Sequence, residues 1–275
     1  MSAPFSPDHL PAEARARGVI RARFAKAGSR SCVTGLFEAG GLRLRFPRNA
    51  ESCEAVIVNT GGGVIGGDTA QLSFAAEDGA DVTLTTQSAE KIYRAQNAPA
   101  RIAVDLAAEA NSRLEWLPQE TILFDGAKLH RSFALDAHES ARVTLLEASV
   151  FGRLAMGEQN IRGFLADRWR LRRNGKLIFA DDLRLDGEIG ALLDRKSCGA
   201  GARATALLLH IAPEAEALLE PVRDSLSGAS CQAGASAWNG LLAVRLLSPA
   251  PEHKRAALKP LLEILRGRPA PRVWQ

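Results

Sequence analysis

The part of the chain whose spacing most suggests chemistry is Asn59-Thr60-Gly61-Gly62-Gly63-Val64-Ile65-Gly66-Gly67-Asp68. Gly61, Gly63 and Gly66 satisfy G-x-G-x-x-G after an apolar run, the pattern that brings backbone amides up to a pyrophosphate. A dinucleotide loop must open a helix whose first amides hold the phosphates, yet Asp68 to Phe74 alternates like a strand. No Gly-Lys-Ser/Thr follows, so the P-loop pattern is also missing. We read the glycines, including Gly62 and Gly67, as a turn where two backbones pass closely. An enzyme binding a nucleotide cofactor at Gly61 to Gly66 is the alternative.

Other reactive constellations are scarce. His9, His130, His138, His210 and His253 form no H-x-x-x-H or H-E-x-x-H pair, and no G-x-S-x-G elbow occurs. His130 and His138 flank one expected strand and could share a metal. Without cysteine or carboxylate at ligand spacing, surface or structural histidines are the better reading. Cys32, Cys53, Cys198 and Cys231 are widely separated, as suits a reduced cytoplasm. Asp181, Asp182, Asp186 and Glu188 read as a solvated acidic loop.

The elements that must carry these residues are mostly strands. Leu42, Leu44 and Phe46 alternate with Arg43 and Arg45, and Glu54 to Thr60 is a second apolar run. Gln71 to Gln87 reads as a hairpin turning at Asp78-Gly79, and Trp169 to Ile178 as another turning at Asn174-Gly175. Leu72, Phe74, Val82 and Leu84 recur 32 residues later as Val104, Leu106, Leu114 and Trp116. They recur again 29 further on as Phe133, Leu135, Val143 and Leu145. Three hairpins on one template favour a stacked, β-helix-like body, with an ordinary sandwich as the alternative.

Stacking would align the polar residues that end each second strand: Thr86-Gln87, Pro118-Gln119-Glu120 and Glu147. Such a row either pairs structurally or lines a wet passage, because unpaired buried polar groups are costly. Short helices are expected toward the C-terminus, at Pro213 to Leu226, ended or kinked by Pro221, and at Pro251 to Arg266, interrupted by Pro260. Leu258, Leu261, Leu262 and Leu265 either pack on the body or meet a partner, with packing favoured.

Composition narrows the function. In 275 residues, 46% hydrophobic and 24% charged, the chain can build a core, which excludes a disordered scaffold. The net charge of +4 is spread along the chain, which argues against nucleic acid as main partner. No apolar run approaches membrane-spanning length, and Met1 to Phe24 lacks a signal-peptide core. A carbohydrate binder would need aromatic platforms, and Tyr93 is the single tyrosine. We expect a flexible tail over residues 1–17 and one domain over 18–275.

Several motifs occur together in order: Gly62-Gly63-Val64-Ile65-Gly66-Gly67-Asp68, then Thr86-Gln87 with Lys91-Ile92-Tyr93-Arg94, then Glu115-Trp116-Leu117-Pro118-Gln119. Gly152-Arg153 with Gly157-Glu158 follows, and Arg268-Pro269-Ala270-Pro271-Arg272-Val273-Trp274 closes the chain. This ordered set, from about Gly18 to the C-terminus, resembles the UreD/UreH family of urease accessory proteins. The resemblance implies a β-helix-like body and a non-enzymatic role in urease maturation. It also implies a complex with the accessory protein UreF and the GTPase UreG, docking on apo-urease, and help in delivering nickel. No tightly bound cofactor is implied; nickel is cargo. Oxygen donors hold nickel more weakly than imidazole or thiolate, so a passage lined by them permits onward transfer. On that basis Asp68, Thr86, Gln87, Glu147 and Glu158 are candidates for a transient nickel route. Turn capping by Asp68 and pairing of Glu158 with Arg153 are the competing roles.

Overall fold

The computed structural model describes residues 15–47, 53–159 and 161–274. Its strands, numbered along the chain, form two facing sheets. The first sheet runs β14 (Lys176–Glu188), β13 (Arg162–Arg173), β11 (Ala127–Ala137), β8 (Ala100–Ala108), β5 (Thr69–Ala76), β1 (Arg17–Ala27) and β2 (Arg30–Ala39). The second runs β16 (Gln232–Trp238), β17 (Leu241–Ser248), β15 (Ala204–Ile211), β12 (Arg142–Phe151), β9 (Arg113–Trp116), β6 (Asp81–Thr86), β4 (Cys53–Asn59) and β3 (Leu42–Arg45). Two short strands, β7 (Glu90–Ile92) and β10 (Thr121–Leu123), extend this sheet beside the end of β12. The chain is mainly β and solenoid-like, as its repeat suggests.

The repeat spacing is the register of this stack. Leu72, Val104 and Phe133 occupy one rung, and Phe74, Leu106 and Leu135 the next but one. On the facing sheet Val82, Leu114 and Val143 align, as do Leu84, Trp116 and Leu145. The stack continues to Trp169 and Leu171 on one side and to Ile20 and Ala22 on the other.

The pairing within each unit differs from the hairpin expectation. β5 and β6 do not bond to each other; each pairs in parallel with its counterpart in the next unit. Asp78-Gly79 therefore turns an arch between two sheets. A positive φ at Gly79 serves either connection, so local turn chemistry does not choose between them. The Asn174-Gly175 turn does join an antiparallel pair, β13 and β14.

Two further expectations change. Asp181, Asp182, Asp186 and Glu188 lie in edge strand β14, where Arg245, Arg170, Arg184 and Arg162 pair with them. Charge on an exposed edge discourages pairing with another sheet, which gives these residues a role in a strand. Prolines also interrupt less than expected. A 3-10 turn over Ala215–Leu218 leads into α2 (Leu219–Leu226), and Pro221 sits in the first turn, where its missing amide has no intrahelical role. α3 (Pro251–Arg266) runs through Pro260 unbroken and ends at left-handed Gly267. A short α1 (Ile189–Asp194) follows β14.

Three apolar clusters hold the body together. The largest, between the sheets, includes Phe74, Trp116, Phe133 and Trp169, and a smaller one includes Ile92, Leu123, Leu129, Phe151 and Leu165. The third lies outside the second sheet, where Leu258, Leu261, Leu262 and Leu265 of α3 pack against Leu146, Leu208 and Val244. Those leucines are thus committed to the body. Arg17 already belongs to β1, and the first fourteen residues of the expected tail, with His9, lie outside the described residues.

Phe133 stacks on Trp169 with ring centroids 4.2 Å apart and sits at the centre of the largest cluster. Phe133→Ala should lower unfolding free energy in urea by about 3–5 kcal/mol. Ser132→Ala, one residue away on the opposite face, should change it by less than about 0.5 kcal/mol.

Candidate functional site

Along β11 the inward face reads Leu129, Arg131, Phe133, Leu135, and along β13 it reads Leu165, Asp167, Trp169, Leu171. Along β12 it reads Val143, Leu145, Glu147, Ser149, Phe151. One layer of β11 and of β13 and two of β12 are therefore polar where alternation calls for an apolar residue, and these layers meet. Together they form a polar belt between the two inner apolar clusters. On β8 the corresponding space is closed by Ile102, which packs on both clusters.

Arg131 is the hub of this belt. Its Nε and one terminal nitrogen donate to both oxygens of Asp167, at 3.2 and 2.6 Å. The other terminal nitrogen donates to Glu147 and, at 3.1 Å, to the Thr121 hydroxyl, while the nitrogen that meets Asp167 at 2.6 Å also lies 3.5 Å from the Ser149 hydroxyl. Glu147 also accepts from the Trp116 indole at 2.9 Å. The charged side chains are 4, 6 and 9% exposed, so each needs its partners.

Two carboxylates face one guanidinium, so the charges balance only while Glu147 keeps its proton. Burial pushes the Glu147 pKa up to about 7, despite Arg131 and the indole N–H, and Asp167 adds to the rise. Burial opposes the charge of Arg131, but Asp167 and Glu147 outweigh it and raise its pKa. The belt is therefore an oxygen-lined site occupied by a guanidinium, and it becomes net anionic as Glu147 loses its proton above about pH 7.

From there polar groups lead to the glycine segment. Ser149, Thr121 and Glu90 are neighbours across β12, β10 and β7. Both Glu90 oxygens accept from Asn59 Nδ2 at 3.1 Å, and burial raises the Glu90 pKa. Asn59 begins the glycine segment, accepting from Gly61 N–H and donating to the Gly63 carbonyl.

That segment is a crossing of backbones. A Cβ on Gly63 would lie 2.9 Å from the Lys91 carbonyl and 2.3 Å from Tyr93 Cε2; one on Gly66 would lie 2.5 Å from the Ala98 carbonyl. Gly62 and Gly67 complete the turn with left-handed backbone. The segment leads into β5, so the helix needed for a nucleotide loop is replaced by a strand.

The remaining sequence candidates have separate places. Asp68 caps the glycine turn, accepting from Ile65 and Ala16 amides at 2.9 Å. Glu158 accepts from the Arg153 guanidinium at 3.0 and 3.1 Å and from the Arg153 and Asp125 amides. Arg153 also covers Phe124, which packs edge-on against Tyr93. Thr86 accepts from Gln119 N–H at 2.9 Å, and Gln87 is exposed. The expected row from Thr86 to Glu147 is broken: the last paired rung is Leu84, Trp116 and Leu145, after which Glu147 turns to Arg131.

A second polar row lies on the outer face of the second sheet: Glu54, Thr83, Glu115, Thr144 and His210. Arg266 and Arg268 meet Glu115 at 2.9 and 3.0 Å, and Arg268 also grips Asp81 bidentately. This row clamps the C-terminal motif, whose Trp274 is fully buried and donates to the Leu117 carbonyl. Burial lowers the His210 pKa to about 4, and its Nδ1 meets Thr144 at 3.0 Å. His130 is on the outside of the first sheet and His138 in an exposed turn. Among the described residues no three His, Cys, Asp or Glu side chains are grouped to hold a metal. No helix among them is long and apolar enough to cross a membrane.

A family model described as "UreD urease accessory protein" matches residues 16–275. The chain belongs to the UreD family. It is 50% identical over 260 residues to the urease accessory protein UreD of Xanthobacter autotrophicus, covering 94% of this chain and 90% of that one. It is 48% identical to UreD 2 of Methylorubrum populi, covering 98 and 94%. It is 44% identical to UreD of Azorhizobium caulinodans, covering 96 and 98%. The UreD-family chain is thus a urease accessory protein acting in urease maturation.

The Glu147 carboxyl titrates near pH 7 when folded, against an ordinary value of 4.5. Between those values the folded chain holds a proton that the unfolded chain has released. This group's stabilisation is complete below about pH 4.5, falls as pH rises toward 7, and is flat above. His210 slopes oppositely between about 4 and 6.5, so the check is a comparison of variants. Urea unfolding at pH 5.5 and 8 should show wild type losing on the order of 1–2 kcal/mol more than Glu147→Gln. Separately, Gly66→Val should yield little folded protein, read by circular dichroism and size exclusion.

Proposed function

We propose that this chain is a non-enzymatic scaffold that joins UreF and UreG to apo-urease in the cytoplasm and assists GTP-dependent nickel insertion. GTP hydrolysis belongs to the GTPase partner. The observation that carries this reading is the oxygen-rich belt of Glu147, Asp167, Thr121 and Ser149, buried inside a urease accessory protein.

Nickel is cargo here, and the belt suits cargo. Carboxylate and hydroxyl oxygens bind nickel less tightly than imidazole or thiolate, so an ion entering the belt can also leave it. With Glu147 ionised, two carboxylates favour a cation between them, and Arg131 fills that role while the chain is at rest. Nickel would enter as Arg131 gives up Glu147, and the returning guanidinium would help expel it. Glu90 and Asn59 extend the route toward the glycine segment, while Thr86 and Gln87 belong to the corner beside it. Asp68 and Glu158 would support the route by bracing the loops at its end.

Glu147→Ala should leave assembly with UreF, UreG and apo-urease intact by size exclusion. It should depress urease activation about tenfold or more at limiting nickel and recover at high nickel, because mass action compensates for weaker binding. Unchanged activation at limiting nickel would remove Glu147 from the route. A tagged wild-type chain co-expressed with these proteins should retain UreF; retention of none of them would contradict the scaffold reading.

A further inference from the structure

Among the described residues the two longer helices lie on one side of the body. α2 and α3 pack on the second sheet, and α1 touches the ends of β13 and β14. The first sheet contains five consecutive parallel strands, β13, β11, β8, β5 and β1. Parallel ladders are ordinarily covered on both faces, and no helix among the described residues lies over the outer face of this one.

That face has a floor of small side chains, including Ser73, Ala75, Ala103, Ser132 and Ala166. It holds two hollows of about 530 Å³ each, which share β5 and β8. Beside one, Phe37, which shares the outer face with its β1 neighbour Arg21, is 51% exposed. The floor admits close approach of a partner backbone, and the exposed rim offers apolar contact.

The rim is basic. Arg21, Arg23, Arg101, Arg168 and Arg184 line the hollows with Asp105 and Asp182, and Arg23, Arg168 and Arg184 are already paired with Glu77, Asp182 and Asp186. Arg21 and Arg101 make no ion pair among the described residues, and Arg21 lies over the Phe37 ring at 5.7 Å. His130 registers the field: burial, then Arg101 and Arg184, lower its pKa. The two aspartates and the apolar rim fit a phosphate backbone poorly and suit a protein with carboxylates at one edge of an apolar face.

We propose that the outer face of the first sheet is the docking surface for an acidic amphipathic helix of a protein partner. Its apolar side lies over the Ala and Ser floor and against Phe37, and its carboxylates meet Arg21 and Arg101. The proposal rests on the maturation reading only in that a scaffold needs such a surface.

The test places the photo-cross-linker p-benzoylphenylalanine at Ser132 of the full chain, co-expressed with urease and its accessory proteins, with Lys196 as an off-face control. Mass spectrometry identifies what is captured. The expected result is one protein segment, acidic and helical in pattern, joined through Ser132 and not Lys196. Adding Arg21→Glu and Arg101→Glu should cut the yield about tenfold. No cross-link at Ser132, a nucleic-acid cross-link, or a yield indifferent to the reversed charges would overturn the proposal. Co-purification separates the two readings: urease proteins retained without a Ser132 cross-link leave the maturation reading standing and sink this one. A specific acidic-helix cross-link with no urease protein retained does the reverse.

Discussion

A guanidinium enclosed between two β-sheets has to be paired on every side, and Arg131 sets terms for everything near it. Asp167 takes it bidentately from the neighbouring strand, and Glu147 and Thr121 reach it from the opposite sheet. The sheets are thereby tied in register through their middle, where apolar contact alone would permit sliding. The arrangement also divides the interior into two apolar compartments. Buried ion clusters contribute little net stability compared with well-packed apolar replacements, and removing one member is costly. The second carboxylate, held neutral only by its proton below about pH 7, adds to that cost.

The stack explains how such a belt can be built. In a parallel ladder one residue type repeated at one rung becomes a line of side chains, so a few substitutions at the same layer create a continuous feature. Ser149, Thr121 and Glu90 make that line on the second sheet, and Arg131 with Asp167 make it on the first. Glu54, Thr83, Glu115, Thr144 and His210 repeat the device on the outer face, where Arg266 and Arg268 use it to hold the C-terminus. One row serves closure, and the other is the proposed route.

Much of this was legible in the sequence. The spacings relating Leu72 to Val104 and Phe133 gave the stacking register, and the close approach at Gly63 and Gly66 followed from glycine between two extended segments. What local signals could not supply was the partner of each strand: Asp78-Gly79 turns an arch and a hairpin equally well. Pro260 reads as a break from its own chemistry, yet α3 keeps its leucines packed on the second sheet through it. The belt leaves a faint trace in the sequence. Arg131 and Asp167 each interrupt an apolar alternation at the same phase, with opposite charge, and their meeting becomes evident only once β11 and β13 are aligned. Glu147 was found, but its companions lie on strands whose order the sequence does not state.

The most direct measurement replaces the belt while keeping its volume: Arg131→Met, Glu147→Leu and Asp167→Leu in one chain, assayed for unfolding free energy, assembly and urease activation at limiting nickel. If the belt serves nickel, the triple variant should fold with stability equal to or above wild type, since apolar packing replaces a desolvated ion cluster. It should also assemble with the accessory proteins and apo-urease, yet fail to activate urease. Full activation by this variant would contradict the account, because nickel would then be reaching urease without the charged belt.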